Sequence, residues 1–202
     1  MTNLQNKNIP NFAAMNQLIE YLLQFGNLNK QQIDFVSAKA ELITVPKNDY
    51  LAEAGKHVKR IAFIVDGVVR ICYYDNKGDE ITRYFFDKNH LLVAPELMID
   101  MPIPEYWQTV TDCRLFVFSI RDWKEISNTI IGWDEVIQKI VSKNHSEKLD
   151  RRSALVAQDA TTRYTEFLKK FPTLANQIPL SYIASYLGIT QSSLSRIRRN
   201  IR

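Results

Sequence analysis

Glycine is scarce in this chain of 202 residues, with six in all, so long flexible joints are not expected. Two cysteines, Cys72 and Cys113, stand far apart in strand-like runs. An iron–sulfur centre needs about four cysteines at cluster spacing, so the pair reads as buried thiols of a reducing cytoplasm. The histidines, His57, His90 and His145, are isolated and form no His-x-His pair. Neither a haem ligand nor a metal site is expected from them, and a cupin-type metalloenzyme is set aside. No apolar run approaches the ~20 residues of a membrane span. The opening residues lack the apolar core of a secretion leader. No repeat or low-complexity linker interrupts the chain. With 46% hydrophobic and 24% charged residues, the composition predicts a soluble globular protein; the thiols place it in the cytoplasm, and neither an enzyme nor a cofactor is expected.

What the chain does have is concentrated at its C-terminal end. Ile183 and Leu187 lie four apart and share one face of a short helix. Ala184 beside them is small enough to admit a second helix closely. Gly188 suits the left-handed residue that ends a helix. Ile189 turns back into the small core, and Thr190 is a good N-cap for the next helix. Leu194 and Ile197 close the core from that second helix. Its other face presents Gln191, Ser192, Ser195, Arg196 and Arg199, with Ser193, Arg198 and Arg202 at the flanks. Helix, glycine turn and basic second helix together predict a DNA-binding helix-turn-helix. Gln191, Ser192, Ser195 and Arg196 are expected to read bases. Ser193, Arg198, Arg199 and Arg202 are expected to hold phosphates.

Charge follows the same division. Residues 133–202 carry twelve Lys/Arg against six Asp/Glu, while residues 1–132 carry fourteen against sixteen. No acidic residue follows Glu166. A polyanionic partner for the C-terminal third is the physical implication.

The remaining sequence falls into two textures. Residues 14–40 read as helical, with Leu18, Leu22 and Phe25 on one face. From Leu42, short β-branched and aromatic runs alternate with turns: Leu42–Val45, Arg60–Val65, Val68–Tyr74, Glu80–Phe86, Leu91–Ala94, Trp107–Val110 and Leu115–Ser119. Asp66-Gly67 predicts a tight hairpin, and Asp75 to Gly78 a longer one. Strands so spaced suggest a barrel or jelly roll. Residues 133–157 form one long candidate helix whose apolar stripe is broken by Asn144. Ile137, Ile140, Val141 and Asn144 are expected to form a dimer seam, Asn144 fixing its register. A shorter helix, Thr161–Phe171, precedes the C-terminal unit.

This order of elements resembles the cyclic-AMP receptor protein (Crp/Fnr) family over about residues 15–200. Its sharpest points are Phe63 to Arg70, the Ser146-Glu147-Lys148 stretch and the Leu180–Arg199 unit. The resemblance implies an α+β protein in three parts. Residues 1–132 would be a cyclic-nucleotide-binding-like β-roll (a jelly roll) with N-terminal helices. Residues 133–157 would be a dimerisation helix, and residues 158–202 a helix-turn-helix domain without a full wing. It also implies a bacterial homodimeric transcription regulator on two-fold symmetric double-stranded DNA, answering a small-molecule effector, with RNA polymerase as a further partner. The chain departs from the family where cyclic AMP would bind. Pro95 replaces a glycine and removes a backbone donor. Glu96 keeps the family's carboxylate. No arginine stands near Pro102–Glu105, where Glu105 would repel a phosphate. Cyclic AMP is therefore not the expected effector. A pocket lined by Phe85, Leu92, Trp107 and Glu96 would suit an apolar ligand or none. In the second helix Ser192 takes the place of the family's glutamate and Arg196 keeps its arginine, so a different operator is expected. The competing reading is a ligand-binding or protein-interaction module of the same fold that has lost DNA binding.

Overall fold

The structure, a computed structural model, describes residues 9–201. The side chains of residues 9–11, Met98 and residues 151–153 lie outside that description, as does Arg202. Two helices come first, α1 (Ile9–Leu23) and α2 (Lys30–Lys39). Asn29 caps α2 through a reciprocal pair of bonds with Gln32. Eight strands follow: β1 (Glu41–Val45), β2 (Tyr50–Ala52), β3 (Arg60–Asp66), β4 (Val69–Tyr74), β5 (Glu80–Phe86), β6 (Leu91–Leu92), β7 (Tyr106–Thr109) and β8 (Cys113–Ser119). They form two antiparallel four-stranded sheets, ordered β1-β8-β3-β6 and β2-β7-β4-β5. The helices α3 (Ile120–Thr129), α4 (Trp133–Ala157), α5 (Ala160–Lys170), α6 (Leu180–Leu187) and α7 (Gln191–Asn200) complete the chain.

Strand periodicity explains how the sheets are covered. In β3, Ile61, Phe63 and Val65 join one buried cluster, while Ala62 and Ile64 join another. In β8, Phe116 and Phe118 go with the first cluster, and Leu115 and Val117 with the second. Both faces of β3 and β8 are therefore buried, which is why these two strands read as nearly continuous apolar runs. The first cluster includes Leu18 and Leu22 of α1, Trp123 of α3, and Trp133, Ile137 and Ile140 of α4. The second continues through Phe85 to Phe167, Phe171, Tyr186 and Leu194. The roll and the C-terminal helices thus share one apolar core.

Two sequence expectations change here. Asp66-Gly67 is a sharp turn but not a hairpin: β3 and β4 lie in different sheets, and the chain turns a corner between them. Gly67 has φ +98°, and a Cβ there would lie 2.5 Å from the Asp112 carbonyl oxygen, so this corner excludes a side chain. The Asp75–Gly78 loop does join a hairpin, with β4 paired to β5. The Asp75 carboxylate accepts from the Lys77 and Asp79 amides.

The second correction concerns the expected dimer seam. Ile137 and Ile140 are buried within their own subunit, and Val141 packs against the same cluster. Asn144 is buried too, and its Nδ2 donates to the Leu91 carbonyl at 3.1 Å. The broken stripe is the face by which α4 covers its own roll, and its polar residue satisfies a strand carbonyl. The outward face of α4 instead exposes Gln138, Ser142, His145, Leu149 and Val156. Among the described residues no helix is long and apolar enough to cross a membrane.

Candidate functional site: a helix-turn-helix docked on a β-roll

Local chemistry builds the C-terminal unit as its spacing predicts. Ile183, Ala184, Leu187 and Leu194 are buried, and Ile197 is half-buried. Gly188 ends α6 at φ 64° and ψ 37°, with its amide bonded back to the Ala184 and Ser185 carbonyls. The Thr190 hydroxyl accepts from the Ser193 amide at the start of α7. Gln191, Ser192, Arg196 and Arg199 are exposed on α7, while Ser193, Ser195 and Arg198 are half-buried. The Ser192 and Ser193 hydroxyls both lie within hydrogen-bond distance of Thr190 Oγ1. Arg198 Nη2 donates to Asn176 Oδ1 at 3.4 Å. Helix α7 therefore offers one outward surface of glutamine, serine and arginine.

The roll holds a cavity of about 310 Å³ lined by Leu92, Glu96, Trp107 and Phe86, with Lys148 and Leu149 of α4 at one side. Leu92, Glu96 and Trp107 stand in the wall of this cavity. Phe85 does not: it lies on the opposite face of β5, its ring 6.1 Å from Phe171 and 5.2 Å from Tyr186. The pairing of β5 with β4 shifts register between Ile71 and Cys72, and one residue of slip exchanges the two faces. Phe86 takes the cavity position. Two cations that sequence reasoning missed also line it, Arg83 of β5 and Lys148 of α4. Arg83 Nη1 is hydrogen-bonded to Glu105 Oε1, and Lys148 Nζ lies 3.8 Å from Glu105 Oε2. Both cations thus face the carboxylate expected to repel a phosphate.

The two cysteines are free and buried. Burial pushes the Cys72 thiol up to about 11 and raises that of Cys113. Neither is a ready thiolate at neutral pH.

Residues 42–129 match the family model of the cyclic nucleotide-binding domain. No curated protein matches the chain in sequence. Among solved structures, the chain is similar to a protein assigned to the Crp/Fnr family of transcriptional regulators from Eubacterium rectale. The two are 16% identical, with 90% of this chain and 87% of that one covered at a TM-score of 0.71. It is similar to the c-di-GMP-responsive global regulator CLP of Xanthomonas campestris, at 16% identity, 86% and 91% coverage and a TM-score of 0.66. The catabolite activator protein of Thermus thermophilus is 17% identical, with 90% and 86% covered and a TM-score of 0.55. The fold is that of the Crp/Fnr regulators.

Within this Crp/Fnr fold, the DNA-binding-like unit is fastened to the roll by residues that local spacing did not reveal. Ser185 of α6 accepts from the Thr82 amide at 2.8 Å and donates to the Glu80 carbonyl at 3.3 Å. Strand β5 is the edge of its sheet, so one serine satisfies two backbone groups of that edge. Arg70 of β4 is fully buried. Its guanidinium donates to Glu80 Oε2 at 2.7 Å and to Gln108 Oε1 at 2.5 Å. The ring of Tyr182 on α6 covers it, 3.5 Å from Cζ to the ring centroid.

A second fastening joins three elements. Tyr84 of β5 donates to Glu147 Oε2 of α4 at 2.7 Å, and Lys170 of α5 donates to the Tyr84 hydroxyl. His90 Nε2 lies 3.7 Å from Glu147, and its Nδ1 lies 3.1 Å from Asp87 Oδ1. Burial disfavours charge on His90, but bonds and charge from Asp87 and Glu147 outweigh it and push its pKa up to about 9. The His90 bond, with help from Tyr84 and Lys170, holds Glu147 down at about 2 despite burial. At neutral pH both are charged, and they pair where the roll meets the C-terminal helices.

Proposed function

We propose that this chain is a sequence-specific DNA-binding transcription regulator that acts as a homodimer in the cytoplasm. The observation that carries the reading is the outward surface of α7. Gln191, Ser192, Arg196 and Arg199 are exposed there, in a chain with no acidic residue after Glu166. Gln191, Ser192, Ser195 and Arg196 read bases in the major groove, and Ser193, Arg198, Arg199 and Arg202 hold phosphates. Dimerisation uses the outward face of α4. Gln138, Ser142, His145, Leu149 and Val156 recur there at alternating steps of four and three, with one step of seven, the spacing of a two-stranded coiled-coil seam in which Leu149 and Val156 are the apolar members. Two-fold symmetric operators follow from that symmetry, with RNA polymerase as a further partner. The roll cavity, with Leu92, Glu96 and Trp107 in its wall, takes a small-molecule effector other than cyclic AMP. Pro95 lacks the backbone donor that a phosphate needs, and Arg83 and Lys148 already face Glu105.

Selection from random double-stranded oligonucleotides, followed by mobility-shift titration at several salt concentrations, tests the proposal. One operator with affinity falling steeply in salt is the expected result. Arg196→Ala should relax specificity at one base position by about 1–3 kcal/mol, and Arg199→Ala should weaken all sequences alike. No affinity for any duplex at low salt would favour the interaction module instead.

A further inference from the structure

The roll cavity carries more charge in its wall than an apolar ligand would need. Its volume of about 310 Å³ is at the small end for ligand sites. Phe86, Leu92, Ala94, Ile103 and Trp107 supply its apolar body. Its charged lining is Arg83, Lys148, Glu96 and Glu105, with Asn144 and the exposed His145 as further polar members. Glu105 is 8% exposed and is shared by two cations. One of its oxygens accepts from Arg83 Nη1, and the other lies 3.8 Å from Lys148 Nζ. That distance is too long for a hydrogen bond, so Glu105 keeps the Lys148 charge at the wall without using its donors. Asn144 is buried, and its Nδ2 donates to the Leu91 carbonyl at 3.1 Å. A carbonyl only accepts, so the orientation of the amide is settled. Asn144 Oδ1 is then a buried acceptor with no partner among the described residues. Asn144 and Lys148 stand four apart on α4, so an acceptor and a cation share one helix face, about 5–6 Å apart at Cβ.

We infer that the roll cavity binds an α-amino acid with an apolar side chain. Its carboxylate lies on Lys148 and Arg83, its ammonium on Asn144 Oδ1 and Glu96, and its side chain against Phe86, Leu92 and Trp107. The inference rests on the reading of the roll as an effector site and adds the class of effector. Two cations and two carboxylates stand in the described lining, so a ligand of zero net charge leaves that balance unchanged. A plain carboxylic acid, like a phosphate, would face Glu96 and Glu105 with no ammonium to offset them. A plain amine would face Arg83 and Lys148 with no carboxylate. An ammonium has three donors, enough for both acceptors, and it satisfies the buried Asn144 oxygen. One helical turn between Asn144 and Lys148 suits two charges borne on a single carbon, not at the two ends of a long chain.

Protein-observed NMR on the full chain tests the inference, with L-phenylalanine as probe. 3-Phenylpropionate, which lacks the ammonium, and 2-phenylethylammonium, which lacks the carboxylate, are the analogues. The expected result is saturable shifts of the Ile71, Leu92, Ala94 and Ile103 methyl signals, with Kd of about 1 mM or tighter for so small a ligand. Each analogue should bind at least about tenfold more weakly, having lost one set of charge-assisted bonds. Glu96→Gln should weaken L-phenylalanine about tenfold and leave 3-phenylpropionate unchanged or tighter. Lys148→Met should weaken L-phenylalanine and 3-phenylpropionate by the same factor of about ten. Neither side chain is in the core, so both variants should keep the wild-type thermal midpoint. An analogue that binds as tightly as L-phenylalanine overturns the inference, yet leaves the roll a small-molecule site. Affinity indifferent to both variants, or no cavity shifts at about 20-fold the expected Kd, overturns it as well. Operator affinity with and without L-phenylalanine separates the two statements: cavity binding with unchanged DNA affinity upholds the amino acid site and removes its effector role.

Discussion

Replacing Tyr182 should separate what its ring contributes to holding α6 on the roll. Arg70 is a fully buried cation. Glu80, Thr82 and Gln108 engage its two terminal nitrogens, while its Nε has no partner among the described residues. The Tyr182 ring closes the remaining side at 3.5 Å. A desolvated cation over an aromatic face contributes about 2 kcal/mol. Tyr182→Phe keeps the ring and should change stability by less than about 0.5 kcal/mol. Tyr182→Leu keeps an apolar body but removes the π face, at a cost of about 1–2 kcal/mol. Tyr182→Ala removes both, at about 2–4 kcal/mol, offset in part because water can then reach the guanidinium.

Equilibrium urea unfolding measures the series, followed by tryptophan fluorescence and by circular dichroism. Trp107, Trp123 and Trp133 all report on the roll and the helices packed against it, whereas dichroism reports on every helix. In the wild type the two signals should coincide, because the roll and the C-terminal helices share one core. In Tyr182→Ala the dichroism transition should move ahead of the fluorescence transition as the junction opens first. If the leucine variant is as stable as the phenylalanine variant, the stacking of ring on guanidinium contributes nothing and the reasoning fails.

Three further outcomes are expected. Gly67→Ala should cost about 2–4 kcal/mol, read as a lowered thermal midpoint, because a Cβ at that positive φ meets the Asp112–Cys113 backbone; an unchanged midpoint would refute the corner. His90 titrates near 6.5 in an unfolded chain and at about 9 in the folded one. Its charge thus stabilises the fold fully below pH 6.5, and that contribution is lost as pH rises to 9. The wild type should lose about 2–3 kcal/mol across that window and His90→Gln less than about 1, by urea unfolding at each pH; parallel pH profiles would show that the pair with Glu147 does not form. Val156→Glu and Leu149→Glu should convert a dimer to a monomer by light scattering while leaving the fold intact, since both side chains are exposed in the single subunit; a dimer that survives both changes uses another surface.

Much of the architecture was legible because its signals are local. Gly188, Thr190 and the Ile183–Leu187–Leu194 spacing define the helix pair within fifteen residues, and the β-branched runs mark all but one strand. What escaped depends on partners distant in sequence. Strand β2 is three residues long and exists by pairing with β7, more than fifty residues away. Phe85 and Phe86 are equally apolar, and only the register with β4 decides which enters the cavity. Arg83 and Lys148 reach Glu105 from a strand and a helix that no motif connects. The stripe of Ile137, Ile140 and Asn144 was visible as a stripe, but a stripe does not say what covers it. Here the carbonyl of Leu91 decides, by claiming Asn144 for the same subunit.

Helix α6 makes the same point for function. One of its faces, Ile183, Ala184 and Leu187, builds the small core beneath α7, and that face is what the sequence displays. A second face, Tyr182, Ser185 and Tyr186, follows the i, i+3, i+4 spacing of a helix surface and binds Arg70, the β5 edge and Phe85. A helix that served only the first face could carry polar residues at all three positions. Two tyrosines and a serine there tie the direction of α7 to strands β4 and β5. Any effector in the roll that moves β5, whose Arg83 lines the cavity and whose Phe85 packs on α5 and α6, must therefore also move α7 or break these contacts. The mechanical link between the roll and α7 is thus carried by the two faces of a single strand, and the hydroxyl and rings of α6 are the groups through which it reaches α7.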